Sequence, residues 1–251
     1  MQNPMFLPSI AVALYDRALK SAQQGQTCNV IMLCTASMEA FINEYLELGT
    51  RLIENDKLQR ANIEKNKAIN RLQGKFISHF NAFYPKEVEL INALKKHEDD
   101  RDNIFFKINT IKEHCDVKPW DKGTEIYSGY CTLVSIRNAL MHPRSKMVEY
   151  GENDFPKFLN SFKQQKKIKY FNDINKNMSW VEAIDTVEFS NWCIKAFEKM
   201  MISILEIMYY AKIENLPQLP LITSKNALYY LQSFKFPEDL LIKILSSPSK
   251  A

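Results

Sequence analysis

A chain of 251 residues, 46% hydrophobic and 25% charged, has room for one large domain or one domain with an extension, and its balance excludes a disordered or collagen-like polymer. Lys and Arg number 33 against 29 Asp and Glu, a net charge of +4. This excludes a histone-like polycation and requires any nucleic-acid contact to come from a local concentration of basic side chains.

Only 6 glycines occur, and Ile, Leu, Met, Lys and Glu outweigh Val and Thr, so helices are expected throughout. Pro8 opens a first helix over 8–24, with Ile10, Leu14 and Ala18 at fourfold spacing and Gly25 as its stop. Residues 28–55 form a central buried helix: Val30, Leu33, Cys34, Phe41, Tyr45, Leu48 and Leu52 share one broad face, with Met38 and Ile42 beside it. From Lys57 the composition turns polar, and Pro85, Asp99, Asp100 and Pro119 divide 57–121 into two or three shorter helices that read as an elaboration.

Thr124 caps a helix over 124–141 that Pro143 brings to an end by disfavouring helical geometry at His142. Asp154 and Pro156 signal another helix start, with Phe155, Phe158, Leu159 and Phe162 on one face. Ser179 and Glu182 match a capping box that opens a second long core helix over 180–212. Pro217 and Pro220 end it, leaving two short helical candidates, Lys225–Ser233 and 237–246. The sum is an all-α bundle, with 1–215 as the helical domain, 57–121 an elaboration within it, and 216–251 a helical C-terminal tail or appendage.

Five widely spaced cysteines without a Cys-x-x-Cys pair argue against a disulfide framework. Residues 1–15 lack a basic leader and carry Pro4 and Pro8, unlike a signal peptide, and the closest approach to a membrane span, 200–211, contains Glu206. A cytoplasmic protein without a membrane segment is expected. His114 and Cys115 beside Glu113 and Asp116 lack a second ligand pair at usable spacing, so no metal and no cofactor are expected. His79 and His97 carry no signature, and neither a Gly-rich phosphate loop nor a nucleophile elbow is present.

Chemistry concentrates in Arg137-Asn138-Ala139-Leu140-Met141-His142, at the predicted end of the 124–141 helix. Arg137 projects on the side of Ile126, Tyr130, Leu133 and Leu140, so a guanidinium stands beside an apolar surface, where a charge needs a partner. A phosphate suits it: guanidinium offers a planar fork to phosphate oxygens, and an imidazole that titrates near neutrality can take a proton from a 2′-hydroxyl and give one to a leaving 5′-oxygen. Asn138 can orient the His142 imidazole or the phosphate.

On Arg137, Asn138 and His142 the sequence resembles the HEPN superfamily, helical-bundle proteins of prokaryotic toxin–antitoxin, defence and RNA-processing systems whose signature is Arg, a polar residue, and His a few positions on. The stretch 35–44, with Glu39 in mid-helix, looks like the long helix that precedes the motif, and the resemblance extends over 8–212. It implies a four- or five-helix core, a homodimer that joins two motifs, metal-independent endoribonuclease activity on RNA, and a cognate antitoxin or defence-system partner. Toxins paired with a small nucleotidyltransferase carry Tyr two positions after the His, where this chain has Arg144, so control through that tyrosine is not expected.

A second reading keeps the fold without catalysis, as a module that binds nucleic acid or a partner protein. In it Arg137 pairs with Glu39 and His142 merely ends its helix; Glu39 itself can instead partner Thr35 or Asn43 on its own helix. Lys157–Lys176 holds six lysines against Asp173, interleaved with Phe158, Phe162, Tyr170 and Phe171. Lys163, Lys166 and Lys167 there, with Arg144, are candidates to hold an RNA backbone, set against the plainer reading of solvated lysines over core aromatics.

Overall fold

The computed structural model describes residues 9–65, 85–115, 120–142, 159–169, 179–211 and 222–238. Among them every regular element is helical: α1 (Ile10–Gln23), α2 (Thr27–Lys65), α3 (Pro85–Asp99), α4 (Ile104–Cys115), α5 (Glu125–Met141), α6 (Asn160–Gln164), α7 (Trp180–Ile184), α8 (Val187–Tyr209) and α9 (Ile222–Ser233). The protein is therefore all-α. No described helix is long and apolar enough to cross a membrane.

The bundle is organised around α2 and α8. Val30, Cys34, Met38, Phe41 and Tyr45 of α2 recur at three- and fourfold spacing and are buried, as are Phe189, Cys193, Phe197, Met201, Leu205 and Met208 of α8. Tyr15 of α1 stacks on Phe197 with centroids 5.3 Å apart. The α1–α2 hairpin closes where Gly25 takes φ +69; the Gly25 N–H donates to the Ala22 carbonyl at 3.1 Å and the Gln26 N–H to that of Ser21 at 2.9 Å, satisfying carbonyls the helix leaves open.

Two expectations change. α2 runs 39 residues to Lys65, about 58 Å, because the loss of its apolar stripe after 55 ends burial while Lys, Leu, Gln, Arg and Ala still favour helix. The predicted 180–212 helix is broken at Asp185 and Thr186: Thr186 Oγ1 accepts from the Phe189 N–H at 3.0 Å and donates to the Lys167 carbonyl at 2.6 Å. The Ser179–Glu182 capping box is present and opens the short α7. Of the helix expected after Asp154, only its end is described, as α6 with Leu159 and Phe162 buried; the rest of that stretch and most of 237–246 lie outside the described residues.

Described parts of the segments expected as elaboration and appendage contribute to the core. Leu90, Ile91 and Leu94 of α3 and Ile108 and Ile111 of α4 are buried. His97 ties these two helices together, with Nδ1 2.7 Å from Asp102 and Nε2 2.8 Å from Thr110. In α9, Thr223 donates its N–H at 2.9 Å and its hydroxyl at 2.8 Å to buried Glu87, while Tyr230 donates to buried Glu44. Glu44 also accepts from the Ala11 N–H at 3.0 Å, and Asp185 from the Thr27 N–H at 3.0 Å. Carboxylates from elsewhere in the chain thus serve the open N-termini of α1, α2 and α9.

Gly49 sits where α2 meets α3. A β-carbon there would lie 2.6 Å from Ile91 Cγ1, and Ile91 is enclosed. Overpacking of this kind costs about 1–3 kcal/mol, against about 1 kcal/mol that alanine returns as a better helix former. Gly49→Ala is expected to lower stability by up to about 2 kcal/mol in denaturant unfolding; a raised midpoint overturns the close approach.

Candidate functional site

The site forms where the end of α5 passes the middle of α2. Thr124 starts α5, its hydroxyl accepting from the Tyr127 N–H at 3.4 Å. One face of the helix then buries Tyr130, Leu133 and Ile136, which fixes the rotation that sets Arg137 at the rim. The helix ends at Met141. His142 leaves helical geometry with φ −126 and ψ 63, its N–H donating to the Asn138 carbonyl at 3.0 Å, as expected of a residue before proline.

Arg137 is half-buried, its side chain 30% exposed, and Nη2 lies 3.9 Å from Oε1 of Glu39, which is 47% exposed. That separation exceeds a hydrogen bond, and exposed pairs of this kind contribute about 0–1 kcal/mol. Asn138 accepts from Arg137 Nη1 at 3.1 Å, so the amide holds the guanidinium. Arg137 Nε is enclosed and has no partner among the described residues. His142 is exposed, five positions and about 7.5 Å of helix rise beyond Arg137. The structure therefore brings Arg137, Asn138 and Glu39 together and leaves the imidazole in solvent at the same helix end.

Of the two alternatives for Glu39, the contact is with Arg137. Thr35 instead donates back to the Ile31 carbonyl at 2.9 Å. Sequence reasoning placed Tyr130 only as an apolar neighbour. Its ring is fully buried, its hydroxyl has no partner among the described residues, and its acidity is pushed well below that of an ordinary phenol by burial first and by the Glu39 carboxylate second, with Arg137 opposing. The signal was there in its place one heptad before Arg137, on the same face.

The candidate RNA-binding cations sit differently. Lys166 takes a left-handed conformation, φ 55, at the end of α6 and is exposed. Lys167 donates its N–H to the Phe162 carbonyl at 3.0 Å and its ammonium to Gln165 at 2.6 Å. Arg144 and the side chain of Lys163 lie outside the described residues.

Elsewhere, a cleft of about 660 Å³ opens between α3, α4 and α8, lined by Lys86, Lys112, Glu113, His114, Glu206 and Tyr210 among others. It shares no residue with the Arg137 site. His114 Nδ1 donates to the Thr110 carbonyl at 2.9 Å, and no group of three His, Cys, Asp or Glu among the described residues is placed to hold a metal ion. The five cysteines form no disulfide among the described residues, and burial pushes the Cys34 and Cys193 thiols well up, which keeps them from thiolate chemistry. No protein-family model matches the chain, and neither a curated protein nor a solved structure does.

Proposed function

We propose that the protein is a metal-independent endoribonuclease of HEPN type, acting as a homodimer in a toxin–antitoxin or phage-defence setting. The observation that carries this reading is the placement of an exposed imidazole, His142, at the end of the same helix as a rim guanidinium, Arg137, five positions before it. In the proposed reaction His142 takes the proton of a ribose 2′-hydroxyl. The 2′-oxygen attacks the adjacent phosphorus, and Arg137 meets the charge that grows on the phosphoryl oxygens. The 5′-oxygen leaves with a proton from an imidazolium, giving 2′,3′-cyclic phosphate and 5′-hydroxyl ends. The His142 of a second protomer is the natural source of that second proton.

The loose contact with Glu39 suits this role, since an ion pair worth so little yields the guanidinium to a phosphodiester. Asn138 supports the fork. The non-catalytic reading draws on the same contacts, because Glu39 and Asn138 engage Arg137 within the protein. Incubation of the purified chain with mixed RNA in EDTA, with analysis of the ends formed, separates the two. Cleavage to cyclic phosphate ends supports the nuclease; intact RNA supports the binding module.

A further inference from the structure

The cleft between α3, α4 and α8 has the size of a small-molecule site, about 660 Å³ against roughly 300–1,000 Å³ for such sites. Its α8 wall follows from helical spacing. Ser203, Glu206, Ile207 and, just past the helix end, Tyr210 stand at positions i, i+3, i+4 and i+7, while Ile204, Leu205 and Met208 turn into the core. This wall is half-buried and carries one charge, the Glu206 carboxylate. From the other two helices, Lys86 in the first turn of α3 and Lys112 in the last turn of α4 bring two ammonium groups, also half-buried. Glu89 and Glu113 are exposed, at the rim.

The interior thus holds both signs of charge, and they do not cancel. Among the described residues the Glu206 carboxylate makes no ion pair and no hydrogen bond, although a half-buried charge without a partner is costly. The Lys112 ammonium stands over the Trp120 ring, 5.1 Å from its centroid. His114 is oriented by its own helix: Nδ1 donates to the Thr110 carbonyl at 2.9 Å, which leaves Nε2 as a lone-pair acceptor in the neutral ring. No three His, Cys, Asp or Glu side chains among the described residues are placed to share a metal ion. A phosphate or a simple carboxylate would be repelled by Glu206, and a simple amine by the two lysines. A ligand with one charge of each sign satisfies both.

We propose that this cleft binds a free amino acid with an apolar or aromatic side chain, its ammonium group on Glu206, its carboxylate on Lys86 and Lys112, and its side chain against Ile207 and the Tyr210 ring. An ammonium group has three N–H donors, so one serves Glu206 and the others are left for acceptors such as His114 Nε2 and the Ser203 hydroxyl. Each lysine also has three donors, so a contact made elsewhere leaves others for the ligand's carboxylate. Buried Cys115 adds to the apolar lining, which keeps water from weakening the charged contacts. Neither Arg137 nor His142 takes part, and the site stands or falls separately from the nuclease.

The test is calorimetric titration of the full chain with L-phenylalanine and L-leucine, at up to about 10 mM, and with their one-charge analogues. Phenethylamine and isopentylamine keep the ammonium group; 3-phenylpropionate and 4-methylpentanoate keep the carboxylate. At least one amino acid is expected to bind saturably, about 10–100-fold more tightly than either of its analogues, the loss of one charged hydrogen bond. Glu206→Gln is expected to weaken that amino acid by about 10–100-fold while the carboxylate analogue binds no worse. Lys86→Gln combined with Lys112→Gln is expected to weaken it as much while the amine analogue binds no worse. A variant that had merely misfolded would lose all three ligands. No saturable binding by either amino acid, analogues as tight as the parent, or full affinity in Glu206→Gln or in the lysine double variant overturns the site. Loss of binding in Arg137→Ala also overturns it, by placing the ligand elsewhere.

Discussion

Arg137→Ala and His142→Ala are each expected to slow RNA cleavage in EDTA by about 10²–10⁴-fold, the range of a lost general acid–base group or a lost donor to developing phosphoryl charge. The two substitutions act on one transition state, so the double variant is expected to fall little below the worse single one. Arg137→Lys keeps the charge and loses the fork, and an intermediate rate is expected of it. His142 is exposed and its ring makes no hydrogen bond among the described residues, so His142→Ala is expected to melt like the wild type, which separates lost chemistry from lost fold. Equal cleavage by wild type and both variants would falsify the assignment of the motif.

The largest expected loss of stability is at Phe197. It is fully enclosed in α8, stacked on Tyr15 at 5.3 Å and 6.3 Å from Phe234, so its ring joins α1, α8 and the residues just after α9. Truncating such a ring to alanine costs about 3–5 kcal/mol, because the cavity cannot collapse between aromatic neighbours fixed on two other segments. For a chain of this size that lowers the melting temperature by about 6–20 °C. Ile10→Ala, at a site 52% exposed, is expected to stay within about 0.5 kcal/mol. A Phe197→Ala melt within a few degrees of the wild type would show that the three segments do not share one core.

What could be read in advance follows from where each signal resides. The buried faces of α2 and α8 are written in their own periodicity, and Thr124 and Ser179 cap from within their helices; such features need no knowledge of the rest of the chain. The helix starts at Ala11, Thr27 and Thr223 take their acceptors from Glu44, Asp185 and Glu87, partners 33, 158 and 136 positions away, and no local pattern announces them. Gly25 marked one reversal, but Arg101 and Lys166 close theirs in the same left-handed conformation without glycine. At the site, the helix end before Pro143 and the Arg137–Glu39 contact were legible because charge on an apolar face demands a partner. The Tyr130 phenol, unpaired among the described residues, was not, since a tyrosine on a buried face reads as one more hydrophobe until its hydroxyl is traced.

The docking of α9 bears on how the molecule is best dissected. The proline pair at 217 and 220 invites a cut near 215, yet a fragment ending there would lose the donors that Thr223 and Tyr230 supply to Glu87 and Glu44 and the cover that Tyr230 gives Phe41, 4.9 Å away. Enclosed carboxylates would face an open apolar trench, a combination that drives aggregation. The smallest working unit of this protein accordingly includes its last described helix, and the rim that carries Arg137 cannot be harvested from the scaffold by trimming at the most inviting seam.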